Sequence, residues 1–552
     1  MTKMDVVLVR PWARQYVPPG TIAQDPLGIG YLAAVLRRDG YKVGVVDGLL
    51  FGFDNEQLIE TIATFQPKLV GISLHSFADY RPALAITEGL KKLHEAPYCV
   101  WGGEHATFHA HRILEQHPVV DAVVQGEGEL TMLDMVGQFQ DGHRPVVAGA
   151  VTRQADGTIC DGGFRPSIED LDVLPDAEKD VVEMALVLGK PVALSVLTGR
   201  GCTSSCKFCT ANTYFRLGGG TVWRRRSPER VVEEIERLVR SYMDHSNIHP
   251  VIQFQDVIFL GTSPKARAWV DTFLDKLEQK QLRFPFYFMA RADALLANED
   301  VMPRLVKAGL RSVEMGIESG VDRLLELYNK RNSAKANEDA IELLRRHGVA
   351  YDASGFIMFD PRMTAAELLI NASALSRFGP ATWDFFMTRL QLYPGTEVRA
   401  QMIADGLFPS DADIADTSGY AFLDPVVDAV SRHTFLYDPV LRKLDRLLRQ
   451  AKALCAGAHR DGRPAGKLER AVELTQEVYR NHFAVMVSEA EVGRLEASFP
   501  VILGRFLEQV WNAVGILGAM LDSGDPEAVD LSPLARVQNV LQLSTMAPAD
   551  SG

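Results

Sequence analysis

The chain is short of three things. None of its 552 residues fall in an apolar run approaching the roughly eighteen that a membrane helix requires, so the sequence predicts no span. It has no cationic surplus: 58 Lys and Arg against 71 Asp and Glu give a formal charge of -13, which argues against a nucleic-acid partner, since phosphate binding relies on excess Lys and Arg. Cysteine is scarce, six in all, and Cys99, Cys160 and Cys455 stand far apart with no spacing that suggests a disulfide framework. The N-terminus, Met1-Thr-Lys-Met-Asp-Val-Val-Leu-Val9, reads as a short apolar strand without a cleavable signal pattern. That strand leads into Pro11-Trp-Ala-Arg-Gln-Tyr-Val-Pro-Pro-Gly20, not into the Gly-x-Gly-x-x-Gly turn of a dinucleotide site. With 47% apolar and 23% charged residues, the expectation is a soluble cytoplasmic protein of about three domains.

What the chain does have is Cys202-Thr-Ser-Ser-Cys206-Lys-Phe-Cys209, placed just after the apolar run Pro191-Val-Ala-Leu-Ser-Val-Leu-Thr198. Three thiolates spaced Cys-x3-Cys-x2-Cys in one loop can each hold one iron of a [4Fe-4S] cluster and leave the fourth iron open for chemistry. The competing reading is a structural zinc site, which normally takes four closed ligands; no Cys or His nearby completes that set.

From residue 4 to about 150, continuous β-branched runs at 5–10, 41–46, 68–73, 98–101 and 120–124 alternate with amphipathic helical stretches. This pattern predicts a doubly wound parallel sheet whose ligand sits at the carboxyl ends of the strands. Those ends carry Ser73-Leu74-His75, Gly102-Gly103-Glu104-His105 and Gln125-Gly126-Glu127-Gly128-Glu129, where glycine lets a bulky ligand approach the backbone closely. Residues 151–190 hold turn signals without sustained periodicity and read as a linker. Strands then recur at 192–198, 250–256, 285–291, 312–318, 350–358 and 383–392 with helices between, predicting a partial (β/α)6 parallel barrel over 191–400 with functional groups at the strand C-termini. Gln255, Arg291 and Glu318 stand at such ends. Beyond about 400 the spacing of apolar residues predicts a mostly helical domain, 401–552, ending in a loose tail.

The three cysteines, Phe208 just before the last of them and the preceding Thr198-Gly-Arg-Gly201 resemble the radical S-adenosylmethionine (SAM) superfamily. The sheet with its Gly-Gly and Gly-Glu-Gly-Glu loops resembles the cobalamin-binding domain found ahead of many such barrels. The joint resemblance is to the cobalamin-dependent radical SAM enzymes. It implies three cofactors: a [4Fe-4S] cluster on Cys202, Cys206 and Cys209; SAM chelated at the open iron; and cobalamin against residues 73–75, 102–105 and 126–128. It also implies that Met315-Gly-Ile-Glu318-Ser-Gly320 and Arg291 contact SAM; a salt bridge between Arg291 and Glu318 is the alternative. Where the family carries Asp-x-His-x-x-Gly, this chain has Asp47-Gly-Leu49-Leu-Phe-Gly52, which removes the usual histidine ligand to cobalt. His75 stands as a candidate for the lower cobalt face, or as an exposed or helix-capping residue.

Trp223-Arg-Arg-Arg-Ser227-Pro228 reads as an N-cap with proline at the first helical position, its arginines either bracing the cluster loop or forming a solvated patch. Tyr393-Pro-Gly-Thr-Glu397 reads as the segment that closes the barrel, or as a plain turn. The resemblance implies transfer of a methyl group from methylcobalamin to a carbon of a small, natural-product-like substrate, with ring contraction, cyclisation or rearrangement as the alternative. It also implies a flavodoxin or ferredoxin as electron donor, because such clusters need a low-potential source.

Overall fold

The computed structural model describes residues 3–12, 22–140, 143–353, 355–378, 382–434, 439–460, 466–522 and 526–535. The predicted loose tail and most of the segment after the first strand lie outside these residues. Seven strands form the N-terminal sheet in the order Val43–Asp47, Val6–Arg10, Leu69–Ser73, Tyr98–Gly102, Ala122–Val124, Ala150–Arg153 and Ile159–Asp161. The first five are parallel, as their continuous apolar character requires. The last two pair antiparallel, so part of the stretch expected as a linker extends this sheet instead. Two short strands set by neighbouring backbone leave no periodicity to read.

Both faces of the sheet are buried. Leu8, Val45, Val100 and Val124 face one core, and Val7, Val9, Ile72 and Trp101 face the other, as alternate side chains must along a strand covered on both sides.

The second sheet runs Ser195–Val196, Ile252–Phe254, Phe286–Ala290, Leu310–Met315 and Ala350–Asp352, all parallel. The sixth predicted strand, 383–392, is corrected: Trp383–Phe386 is a short helix, and only a bridge between Phe359 and Arg389 marks a sixth strand position. The flank left open by this incomplete barrel is filled by long helices, Gly466–Glu491 and Leu495–Asp522 among them. Phe483 packs against Phe359 and Phe386 with ring centroids 6.0 and 5.5 Å apart, and Trp383 against Phe506 at 5.1 Å. Among the described residues no helix is long and apolar enough to cross a membrane.

Candidate active site

The cysteine loop is bounded by a two-residue ladder in which Gly199–Arg200 pairs antiparallel with Arg224–Arg225. Gly201 begins the loop at φ +89°, and a Cβ there would lie 1.7 Å from the Val222 carbonyl oxygen, so glycine is required by both conformation and space. The loop is held from three sides. Asn329 Nδ2 donates to the Ser205 carbonyl at 2.9 Å, the Lys207 N–H donates to Tyr328 O at 2.9 Å, and the Val398 N–H donates to Lys207 O at 3.1 Å. Thr213 Oγ1 donates to Gly395 O at 3.0 Å, so the Tyr393–Glu397 segment braces the loop. Phe208 packs edge-on against Tyr328, ring centroids 5.4 Å apart.

Burial pushes the Cys209 thiol up to about 11 and raises Cys206 against the opposing pull of Lys330 and Arg291. Neutral thiols are therefore favoured until a metal binds, since coordination deprotonates a thiol outright. Among the described residues no three His, Cys, Asp or Glu side chains converge on a single metal ion. Three thiolates that each meet a different iron need no such convergence.

Arg291 donates to Asp293 at 2.9 and 3.2 Å, to Lys330 O at 2.5 Å and to Cys206 Sγ at 3.5 Å. Glu318, at φ +64°, instead pairs with Lys330 Nζ at 2.5 Å, both side chains buried. The expected alternative, a bridge between Arg291 and Glu318, is thus replaced by two separate pairs joined through Lys330. Lys330 lay beyond the reach of sequence reading because a lone lysine in a loop carries no spacing signal.

Between the barrel and the N-terminal sheet lies a cavity of about 460 Å³. Ser73, His75, Gly102, Gly103, Gly126, Glu127, Gly128 and Gln255 line it, as do Tyr214, Phe215, Gly199 and Arg200 of the cluster loop and its ladder. It runs past the strand ends to Leu8, Gly71 and Met132 beneath the helices Leu27–Arg38 and Glu129–Gln140. Gln255 Nε2 donates to Ser195 Oγ at 2.8 Å, and Tyr214 OH donates to Gly126 O at 2.6 Å.

The structure separates other candidates from the cavity. Leu74 is fully buried in the apolar core on the opposite sheet face, and its carbonyl explains Gly103, where a Cβ would approach within 2.5 Å. His105 is buried beside His109 with ring centroids 4.9 Å apart, and burial lowers its pKa to about 4. Glu104 does not line the cavity either, although one of its buried carboxylate oxygens has no hydrogen-bond partner. Among the described residues, those lining the cavity run from Leu8 to Val257. Leu49 does not line it, whereas His75 is exposed at its edge.

The three arginines are not a solvated patch. Arg224 donates to Glu127 at 2.7 and 3.0 Å, Arg226 pairs with Glu234 and Asp176, and Arg225 lies 3.4 Å from the centroid of the Trp269 ring. Arg200 completes the clasp through Glu129 at 2.5 Å and Glu127 at 3.3 Å. Glu127 is therefore engaged in holding the cluster hairpin against the N-terminal sheet. Ser227 caps the helix Pro228–Tyr242 as expected, accepting from the Arg230 N–H at 3.4 Å.

The residues fit the implied cofactors on two observations. The donor set is three thiols in one braced loop, Cys202 and Cys206 buried and Cys209 partly so, and the cradle opposite is bare at Gly126, where a Cβ would meet nothing within 4 Å. Residues 23–136 match the B12 binding domain and residues 196–370 the Radical SAM superfamily, so the chain belongs to the B12-binding radical SAM enzymes. Its cofactors are cobalamin, SAM and a [4Fe-4S] cluster.

The chain is 29% identical over 403 residues to an uncharacterized methyltransferase of Pyrococcus horikoshii, an overlap of 73% of this chain and 83% of the other. It is 28% identical over 428 residues to an anaerobic magnesium-protoporphyrin IX monomethyl ester cyclase of Rubrivivax gelatinosus, covering 74% of this chain and 71% of that one. In fold it is similar to the cobalamin-dependent S-adenosylmethionine radical enzyme OxsB, solved with aqua-cobalamin and S-adenosylmethionine bound. The TM-score is 0.71 at 18% identity, over 99% of this chain and 82% of that chain.

Proposed function

We propose that this protein is a methyltransferase that places a methyl group on a carbon of a small, natural-product-like molecule. The observation that carries the reading is the single cavity walled by both the strand ends of the N-terminal domain and the cluster loop, with Gly126 and Tyr214 in direct contact across it. When bound, the cluster and SAM supply a radical that activates the substrate, and cobalamin supplies the methyl group. The chain's own task is positioning and exclusion of water. Cys202, Cys206 and Cys209 hold the cluster; Arg291 and Glu318, each fixed by a second residue, present their polar groups beside it; and Gly102, Gly126 and Gly128 leave room for the corrin. Support for methyl transfer comes from the relative named a methyltransferase, whose length this chain largely spans.

A second reading, cyclisation without net methyl transfer, is favoured by the relative named a cyclase at nearly the same identity. The two separate on products. Anaerobic incubation of the cofactor-loaded enzyme with SAM, a strong reductant and candidate substrates is followed by quantifying 5'-deoxyadenosine and S-adenosylhomocysteine. Methyl transfer predicts both; 5'-deoxyadenosine alone, with an unmethylated product, supports cyclisation.

A further inference from the structure

Carboxylates around the two cofactor sites are tied to buried cations: Glu127 to Arg224, Glu129 to Arg200, Glu318 to Lys330 and Asp25 to Lys179. Glu104 differs. Among the described residues it makes no ion pair, and its Oε1, shut away from solvent, has no hydrogen-bond partner. A buried polar atom left in that state calls for a partner from outside the chain. We infer that Glu104 is a specificity-determining residue that binds a positively charged nitrogen of the substrate, an amine or amidine. The inference rests on the small-molecule reading above and adds the charge of that molecule.

The carboxylate stands at the seam between the cobalamin cradle and the cysteine loop. Glu104 opens the helix Glu104–Phe108 directly after Gly102 and Gly103 of the cavity wall. Phe108, four residues on and so on the same helix face, packs against Tyr214 of the cluster loop with ring centroids 6.4 Å apart. It also lies against Gly395, where a Cβ would come within 2.4 Å of the Phe108 ring. Two residues before Gly395, Tyr393 is part-exposed, and no described residue hydrogen-bonds its hydroxyl. Burial raises the Tyr393 pKa, and the charges of Glu104 and Cys209 add to the rise, so the three groups share one neighbourhood. Tyr214 is raised by burial and next by Glu104. Glu104 hydrogen-bonds to neither tyrosine, which leaves its carboxylate open to a ligand between them. A neutral hydroxyl would satisfy the hydrogen bond alone. A cationic nitrogen also supplies the charge partner that the neighbouring carboxylates already have, and aromatic rings on either side suit a cation.

The test labels carboxylates in enzyme loaded with cluster, cobalamin and SAM, using glycinamide with either a quaternary-ammonium carbodiimide or an uncharged one, and reads each site by peptide mass mapping. Asp156, exposed in a turn of the first domain, is the reference. Relative to Asp156, labelling of Glu104 is expected to run about threefold or more faster with the cationic reagent than with the uncharged one. Equal ratios for the two reagents, or no label on Glu104 in any state, would overturn the assignment. Label that appears only when cobalamin or SAM is left out would overturn it too, because the carboxylate then serves that cofactor. The variant Glu104→Gln gives an independent reading: it is expected to retain hydroxocobalamin as the wild type does, and a loss of about tenfold in retention would give the residue to the corrin. Failure of the wild-type enzyme to cleave SAM with dithionite is a different result, refuting the proposed chemistry and leaving the labelling result in place.

Discussion

Glu127 and Arg224 join the two cofactor-bearing halves of the molecule: both guanidinium Nη atoms of Arg224 donate to the Glu127 carboxylate, at 2.7 and 3.0 Å, and the Arg224 side chain is 1% exposed. One residue follows the fifth parallel strand of the first sheet, and the other closes the ladder that bounds the cysteine loop. Their pairing ties the cavity-lining strand end to the hairpin that bounds the cysteine loop. Glu127→Ala leaves the buried Arg224 charge without a carboxylate, holding only the Ile168 carbonyl, so a loss of about 3 kcal/mol is expected in urea unfolding, with a smaller loss for Glu127→Gln.

The same pair gives a pH dependence. Burial acts to raise the Glu127 pKa, but the hydrogen bond from Arg224 and the charges of Arg200 and Arg224 outweigh it, and the net shift is downward. A carboxylate held lower in the fold stabilises it at pH above the ordinary value of 4.5 and loses that contribution as pH falls below it. Glu127→Gln is therefore expected to flatten the acid limb of stability below about pH 4.5 while lowering the plateau above it, as read by denaturant melts across that range.

Asp445 predicts the opposite slope. Burial, with Asp384 nearby, pushes its pKa up to about 7 despite donation from the Trp383 N–H and Tyr479 OH. The folded state holds a proton that the unfolded state releases, so this residue costs stability progressively from about pH 4 to pH 7. Asp445→Asn is expected to gain stability relative to wild type as pH rises through that window. Unfolding at pH 5 and pH 7.5 checks it; an equal effect at both would contradict it.

Gly102 tests the cradle. A Cβ there would sit 3.7 Å from Val124, an ordinary contact, and the residue lines the cavity without a positive φ. Gly102→Leu is expected to leave the fold and the iron content intact while weakening hydroxocobalamin binding about tenfold or more, as measured by retained cobalt after gel filtration.

Much of this site is legible in the sequence because its signals are local. The cysteines have a spacing, the parallel strands have continuous apolar runs, and Ser227-Pro228 is a cap written in two residues. The rest depends on partners far away in the chain. Glu127 reads like a ligand residue until Arg224, 97 positions on, is seen to occupy it. Tyr214 has no motif at all, yet it spans from the cluster loop to Gly126. Leu74 and His75 are adjacent just past the strand Leu69–Ser73, yet Leu74 is buried in the core of one sheet face while His75 lines the cavity, and only the fold says which is which. The sixth barrel strand failed because Trp383 and Phe386 are apolar for a different reason, packing against Tyr479, Phe483 and Phe506 of the helical domain.

The central claim is that cobalamin and cluster share one chamber, and the measurement that bears on it most directly is electron paramagnetic resonance of the reduced, doubly loaded enzyme. Cob(II)alamin and the reduced cluster are both paramagnetic, so adjacency across the Gly126–Tyr214 contact predicts broadened or split signals from their dipolar coupling. The same spectrum from a protein with Cys202, Cys206 and Cys209 changed to alanine should show an undisturbed cob(II)alamin line. Two independent, unbroadened signals from the fully loaded wild-type enzyme would contradict the account.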